Sequence, residues 1–337
     1  MAGKNKTAFI TGATGFVGLN IIRLLEEEGD WDIYAMHRSS SNLTYLNRFN
    51  VHKVQGDISD YWSVLNAMPE GVDAIFHTAA NTSLWWKNNN KQYEDNVEGT
   101  RNVMEAAKAA GVKRGIFVST ANSLGFGTKE NPGDEKSPPK FARYGIGYME
   151  TKYEAQQIVL KEALENGYPF LVVNPTFMIG PRDYKPSSGQ MVLAVAQGKV
   201  PGYPSGGKNY VYVGDVAVAI ANALEMGRPG ECYLLGNENL SYREMFTKIA
   251  KVVGVKPPGL AIPPWATLAF GMIGTISGKL FGITPKVSYK MAKVSCDGHY
   301  FSARKAIEEL KMPQTPIETA IKECYEWFKA HGYLNKA

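Results

Sequence analysis

The stretch Thr11-Gly12-Ala13-Thr14-Gly15-Phe16-Val17-Gly18 stands directly behind the apolar run Ala8-Phe9-Ile10, and Ile21, Ile22, Leu24 and Leu25 then recur at helical spacing. The order reads as strand, glycine turn and helix. Glycines in such a turn let backbone N–H groups and a helix N-terminus come close to an anion, and a dinucleotide pyrophosphate suits this arrangement. Their position makes them informative: a GxxGxxG run behind a buried-type strand means more than three glycines picked from 34. A nucleotide-binding half is expected at the start of the chain.

The 337 residues are 44% hydrophobic and 20% charged, a globular balance that argues against disorder. The net charge of +5 is scattered, with no Lys/Arg block of the kind that grips nucleic acid. A phosphate-rich cofactor accounts for it as well. Cys232, Cys296 and Cys324 are odd in number, far apart and without CxxC spacing, so neither a disulfide framework nor a metal site is expected. A reducing, cytoplasmic setting fits, and Met1 to Lys6 runs into the first strand without an apolar signal segment. Leu260 to Gly278 carries no charge, but Pro263 and Pro264 break its front, and its glycines Gly271, Gly274 and Gly278 weaken the rest. At less than the about 20 apolar residues a span needs, it is expected to be a buried helix and not a transmembrane one. Walling an apolar pocket or touching a membrane surface is the second reading of 260–278.

From residue 6 to about 180, short apolar runs alternate with amphipathic stretches, the pattern of βαβ units. Strands are expected at 8–11, 32–37, 51–55, 74–78, 115–119 and 170–174, with helices near 16–28, 60–67, 93–110 and 145–166. This predicts an α/β fold: a Rossmann, doubly wound parallel sheet with a smaller C-terminal substrate-binding lobe. A further strand and helix, 209–213 and 215–226, are expected to return to the first domain. The division is then 1–175 plus 208–226 for the nucleotide-binding domain and 176–207 plus 227–337 for the lobe, which would lie over the strand C-termini.

The end of the second strand discriminates between dinucleotides, because an acid there binds a ribose 2′-OH whereas an arginine accommodates a 2′-phosphate. Here it reads Ala35-Met36-His37-Arg38-Ser39-Ser40, and Asp32 lies too early. Arg38, helped by Ser39 or Ser40, therefore points to NADP(H) over NAD(H). Asp57 could accept from the adenine amino group with Ile58 packed on the ring, or Asp57 could cap a helix. The small residues Ala79 and Ala80 after His77-Thr78 would let a ribose lie against the backbone, while His77 itself reads as a packed side chain.

Carbonyl reduction needs a proton donor, and a tyrosine serves if a cation lowers its pKa from about 10. Tyr148 and Lys152 are spaced to share a helix face. Tyr289/Lys293 and Tyr325/Lys329 have the same spacing, but only Tyr148 follows the fifth strand and its hydroxyl-rich end, Ser119-Thr120-Ala121-Asn122-Ser123. A hydroxyl there could bind the substrate oxygen.

Together with Asn96-Val97-Glu98-Gly99-Thr100, Asn174-Pro175-Thr176, Gly180-Pro181 and Tyr212-Val213-Gly214-Asp215-Val216-Ala217, these motifs resemble the extended short-chain dehydrogenase/reductase family over nearly the whole chain. Within it the chain looks like the dihydroflavonol-4-reductase-like branch, which includes epimerase/dehydratase-like proteins. Tyr300 to Ala306 and Trp327 to Leu334 resemble that branch too. The resemblance implies Tyr148 as acid/base, Lys152 as its activator and ribose ligand, and Thr120 as the carbonyl orienter. Serine is usual at the position of Thr120, which leaves Ser119 and Ser123 as alternatives. It also implies that the turn Thr11 to Gly18, Asn96, Asn174, Pro175 and Thr176 serve the cofactor. A homodimer through the helices near 96–110 and 145–166 is a further implication.

Four functions compete. The first is an NADPH-dependent aldehyde or ketone reductase acting on a small-molecule carbonyl. The second is a nucleotide-sugar epimerase or dehydratase with tightly bound NAD, for which Arg182, Lys185, Lys199 and Lys208 could hold a diphosphate. The third is a 3-hydroxysteroid dehydrogenase, drawing on the 260–278 stretch and Trp85-Trp86. The last is a non-catalytic NADP-sensing scaffold, which would have no need of Tyr148 and Lys152.

Overall fold

The computed structural model describes residues 6–85 and 89–334. β1 (Lys6–Thr11), α1 (Phe16–Glu28), β2 (Trp31–His37), β3 (His52–Gln55), α2 (Tyr61–Ala67) and β4 (Ala74–His77) open the chain. α3 (Asn89–Tyr93) passes through a π-helical turn, Glu94–Glu98, into α4 (Gly99–Ala109), followed by β5 (Arg114–Val118), α5 (Gly147–Asn166) and β6 (Phe170–Pro175). The central strands are continuous apolar runs because helices cover both faces of the sheet: Ala8, Phe9 and Ile10 are fully buried and every residue of β6 is buried, whereas the edge strand β3 is largely exposed.

Seven parallel strands form the main sheet in the order β10-β6-β5-β4-β1-β2-β3, where β10 is Cys232–Leu235. β1 pairs with β2 on one side and β4 on the other, so chain direction across the sheet reverses at β1 and opens a crevice beyond the strand C-termini. Two cores sandwich this sheet. Leu19, Ile22 and Leu25 of α1 pack with the inner face on one side, and Val103, Met104, Ala155 and Val159 of α4 and α5 pack on the other.

The strand at 209–213 does not return to this sheet. It is β9 (Gly207–Tyr212), which pairs with β7 (Phe177–Ile179), β11 (Glu238–Ser241) and β13 (Gly298–His299) in a separate four-stranded sheet. Only its partner helix, α7 (Val213–Met226), goes back, burying Val216, Ala217, Ile220 and Ala223 in the core shared with α1. The strand that completes the main sheet is β10, through Cys232↔Val172 to Leu235↔Pro175. A four-residue run behind a Pro-Gly turn carries too short a periodicity to stand out from the surrounding loops.

A third core lies beyond β9, where α6 (Gln190–Ala196), α8 (Tyr242–Val253) and α12 (Ile317–Ala330) bury Leu193, Ile249, Ile321 and Phe328. β8 (Gly202–Tyr203) and β12 (Leu260–Ala261) form a small two-stranded sheet, and α11 (Arg304–Leu310) packs on α7. α9 (Pro264–Phe281) pairs with α10 (Tyr289–Cys296). The helix expected to be buried over 260–278 is not: Gly271 and Gly278 are the buried residues of α9. Among the described residues no helix is long and apolar enough to cross a membrane.

Candidate active site

Gly12 holds φ at +69°, and a Cβ on it would come within 2.6 Å of Ala79 N and 2.7 Å of Thr78 Oγ1. Only glycine fits such a crossing. Gly15 N–H donates to the Gly12 carbonyl at 2.8 Å, and Gly15 then caps α1 without any side chain accepting from the first turn. The N–H groups that open α1 are left for an anion, with no acid in that turn to repel one. Gly12, Thr14, Gly15, Phe16 and Val17 line a cleft of about 840 Å³ along the C-terminal edge of the sheet. Thr11 and Gly18 lie under it. Thr11 Oγ1 bonds His77 Nδ1 at 2.7 Å, and a Cβ on Gly18 would strike the Gly12 carbonyl. This cradle fits a pyrophosphate.

His77 is buried between Thr11 and Thr100, whose Oγ1 meets its Nε2 at 3.1 Å. Burial, aided by the charge of Lys152, pushes its pKa down to about 3. The imidazole is neutral and structural, as its sequence position suggested.

At the other end of the cleft Arg38 is exposed and lines it beside His37, Ser41, Gly56 and Ile58. Ser41 is the serine of this turn that faces the cleft, and its Oγ accepts the Arg38 N–H at 3.1 Å. Asp57 is set back from the lining. Its carboxylate accepts from Ser59 N and Oγ at 3.0 and 2.9 Å, whereas Asp60 caps α2. Burial raises the Asp57 pKa, but the Ser59 hydrogen bonds and the charges of Arg38 and Lys91 overcome this and leave it below the usual carboxylate value. Lys91 of α3 also lines the cleft, paired with Asp95 at 2.9 Å. It stands alone in a polar run, so no pattern marked it.

Ala79 and Ala80 continue the cleft wall beside the glycine turn, with the Ala79 backbone against Gly12. Asn96, in the π-helical turn, is buried and secures this wall from behind: Oδ1 accepts from Asn81 N at 2.7 Å and Nδ2 donates to the Asn81 carbonyl and to Thr151 Oγ1. Of Trp85-Trp86, Trp85 is buried and Trp86 lies outside the described residues.

Thr120 and Tyr148 meet at the third wall. Thr120 begins the short turn Ala121–Ser123 and is hydrogen-bonded to Tyr148; Ser119 and Ser123 are buried and bond each other at 3.3 Å, away from the lining. Burial raises the Tyr148 pKa, and the Thr120 hydrogen bond offsets part of that. One turn further along α5, Lys152 is 2% exposed, with Nζ donating to the Val118 carbonyl at 2.8 Å and lying 4.1 Å from the centre of the Phe117 ring. Burial lowers its pKa to about 7. Beneath, Asn174 Nδ2 ties the Thr120 carbonyl (2.9 Å) to Gln156 Oε1 (2.7 Å), and Pro175 is buried beside it. Asn174 therefore braces Thr120, while Thr176 reaches the cleft and bonds Asn209 at 2.8 Å. The other two Tyr/Lys pairs lie on α10 and α12, outside the cleft.

The second lobe closes the cleft with Phe177, Met178, Asp183, Tyr184 and Lys185. Asp183 is buried and accepts from Ser187 N and Gly189 N, both at 2.9 Å. Arg182 turns away to Asn20, Lys208 sits over the Phe177 ring, and Lys199 is exposed.

A fully parallel seven-stranded sheet with a glycine cradle at its switch point, and a hydroxyl pair at the same edge, defines a Rossmann-type dinucleotide-binding protein. The sequence profile of the NAD dependent epimerase/dehydratase family matches residues 8–236, and the chain belongs to that family of extended short-chain dehydrogenases/reductases. A Synechocystis sp. protein with the provisional name dihydroflavonol 4-reductase is 33% identical over 97% of this chain and 95% of its own. Sterol demethylase protein B of Methylococcus capsulatus is 28% identical over 97% and 100%. The crystal structure of gox2253 superposes with a TM-score of 0.85 at 36% identity, covering 97% of this chain and 99% of that one.

Proposed function

We propose that the protein reduces an aldehyde or ketone with NADPH. The observation that carries this reading is the Thr120–Tyr148 hydroxyl pair on the cleft, one helical turn from a lysine without a carboxylate partner among the described residues. Held by the turn at Gly12 and Gly15 and by the N-terminus of α1, a dinucleotide would supply the hydride for the carbonyl carbon. Tyr148 gives its phenolic proton to the carbonyl oxygen, and Thr120 donates a hydrogen bond to the same oxygen, so the product is the alcohol. Burial keeps Tyr148 protonated before the reaction, which suits a proton donor. Lys152, one turn further along α5, would in its ammonium form stabilise the phenolate that the proton transfer leaves.

Arg38 at the rim, with no acid at the end of β2, supports the choice of NADPH. The reductase name of the Synechocystis relative agrees with this direction of reaction. A second reading, action on a sterol-like substrate with the same residues, is favoured by the name of the Methylococcus relative and by Phe177 and Met178 in the cleft.

The test is a panel of aldehydes, ketones, dihydroflavonols, sterols and nucleotide sugars with NADPH and NADH, following nicotinamide absorbance. Net NADPH consumption with a simple carbonyl is expected. Purified protein that carries tight NAD and turns over a nucleotide sugar without net consumption would contradict the proposal.

A further inference from the structure

α9 is built the opposite way round from an ordinary surface helix, which buries its large apolar side chains. Its inner face is small: Gly271 seats against Ala292 and Ser288, Gly274 against the Val287 carbonyl, and Thr275 Oγ1 accepts the Tyr289 N–H at 2.8 Å. The large side chains face outward. Trp265, Phe270, Ile273, Ile276 and Leu280 are 50–75% exposed, at spacings that keep them on one side of the helix. Water is a poor solvent for so continuous an apolar face.

The charge around it is one-sided. From Met245 to Cys296 the chain has seven lysines and no acidic residue. Lys248 is paired with Glu238 and Glu318, and Lys290 and Lys293 hold the Gly145 and Arg143 carbonyls. Lys256, Lys279 and Lys286 are exposed, with no carboxylate paired to them among the described residues. A second copy of the chain would set this basic patch against itself, at an electrostatic cost. An anionic lipid surface complements both features at once: acyl chains take the apolar face, and headgroups take the lysines.

We propose that α9 and the lysines around it seat the protein on an anionic bilayer, with the helix lying in the plane of the headgroups. At 18 residues it is about 27 Å long and lies along the interface without crossing it. Gly278 abuts Trp85, which follows the cleft-lining segment Asn81 to Ser83, so the rim of the cleft adjoins the seated helix. The inference stands independently of the reaction catalysed.

Flotation of the full-length protein with phosphatidylcholine vesicles, and with vesicles containing phosphatidylglycerol, tests it. Expected are co-flotation with the anionic vesicles, weakening at high salt, and a blue shift in emission that is lost in Trp265→Phe. Ile273→Glu should lower vesicle affinity on the order of tenfold or more, with circular dichroism confirming that the variant folds. If it does not fold, the exposed double change Lys279→Glu/Lys286→Glu carries the test with the same expectation. Failure to float, equal binding to neutral vesicles, or binding unaffected by the variants that fold overturns the proposal. A dimer in sedimentation that Ile273→Glu dissociates, without vesicle binding, also overturns it and assigns the face to a second copy.

Discussion

Thr120 reaches the cleft while its neighbours do not because it follows directly on a strand, where successive side chains alternate sides. Ser119 N–H still extends the ladder to the Val173 carbonyl and its side chain turns to Ser123, which leaves Thr120 on the open side. That choice was open in the sequence, since all three residues bear hydroxyls. His77 reads from the sequence as a packed side chain, and two threonines do occupy both ring nitrogens. Its pKa of about 3 against an ordinary 6.5 has a definite stability consequence. Between these values the unfolded chain binds a proton that the folded one refuses, so unfolding free energy falls as pH drops through that window, by about 1.4 kcal/mol per unit. His77→Gln should reduce that slope in urea denaturation measured from neutral pH downward; an unchanged slope would mean the ring is protonated in the fold. Ser41, Lys91 and Asp183 went unnoticed because each reaches the cleft alone, through tertiary placement and not through local pattern.

Among the elements, the glycine turn was the most legible, because an apolar run, fixed glycine positions and a helical period coincide within twenty residues. The central strands β1, β4, β5 and β6 follow the logic of continuous apolar runs, and the edge strand β3 is recognisable only by its place in the alternation of strands and helices. β10 escaped it through shortness. β9 misled because strandedness is local, whereas the sheet a strand joins depends on the direction in which the chain leaves β6. The apolar character of α9 was evident, but which face is covered is a tertiary fact that composition does not carry. Two glycines with nearly the same φ separate conformational cost from close approach. Gly29, at φ +77° with open space around it, should lose about 1 kcal/mol on Gly29→Ala. Gly12→Ala adds a collision with the Ala79 backbone, so it should be less stable than Gly29→Ala and bind dinucleotide at least about tenfold more weakly. Equal thermal midpoints and intact binding would show that the turn relaxes freely.

For the whole molecule, the cleft exists because two sheets share the passage from β6 to β7. Asn174 braces Thr120 on one side of that passage, and Thr176 bonds Asn209 of β9 on the other. The main-sheet half supplies the cradle and Arg38, and the second lobe supplies Phe177, Asp183 and Tyr184 to the same cleft. The cradle was legible in the motifs of the first half; of the lobe's cleft residues Thr176 and Lys185 were legible in the sequence, whereas Asp183 and Tyr184 were not, since they come from a loop without periodicity. The central claim is that Tyr148 works on a substrate beside bound NADPH and has no part in binding the cofactor itself. Tyr148→Phe tests it directly, with NADPH affinity by titration and kcat on the best carbonyl of the panel measured on the same preparation. The account predicts a Kd within about twofold of the wild type and a kcat lower by about 10²–10⁴. Turnover close to the wild type in a folded variant that binds NADPH normally would contradict it.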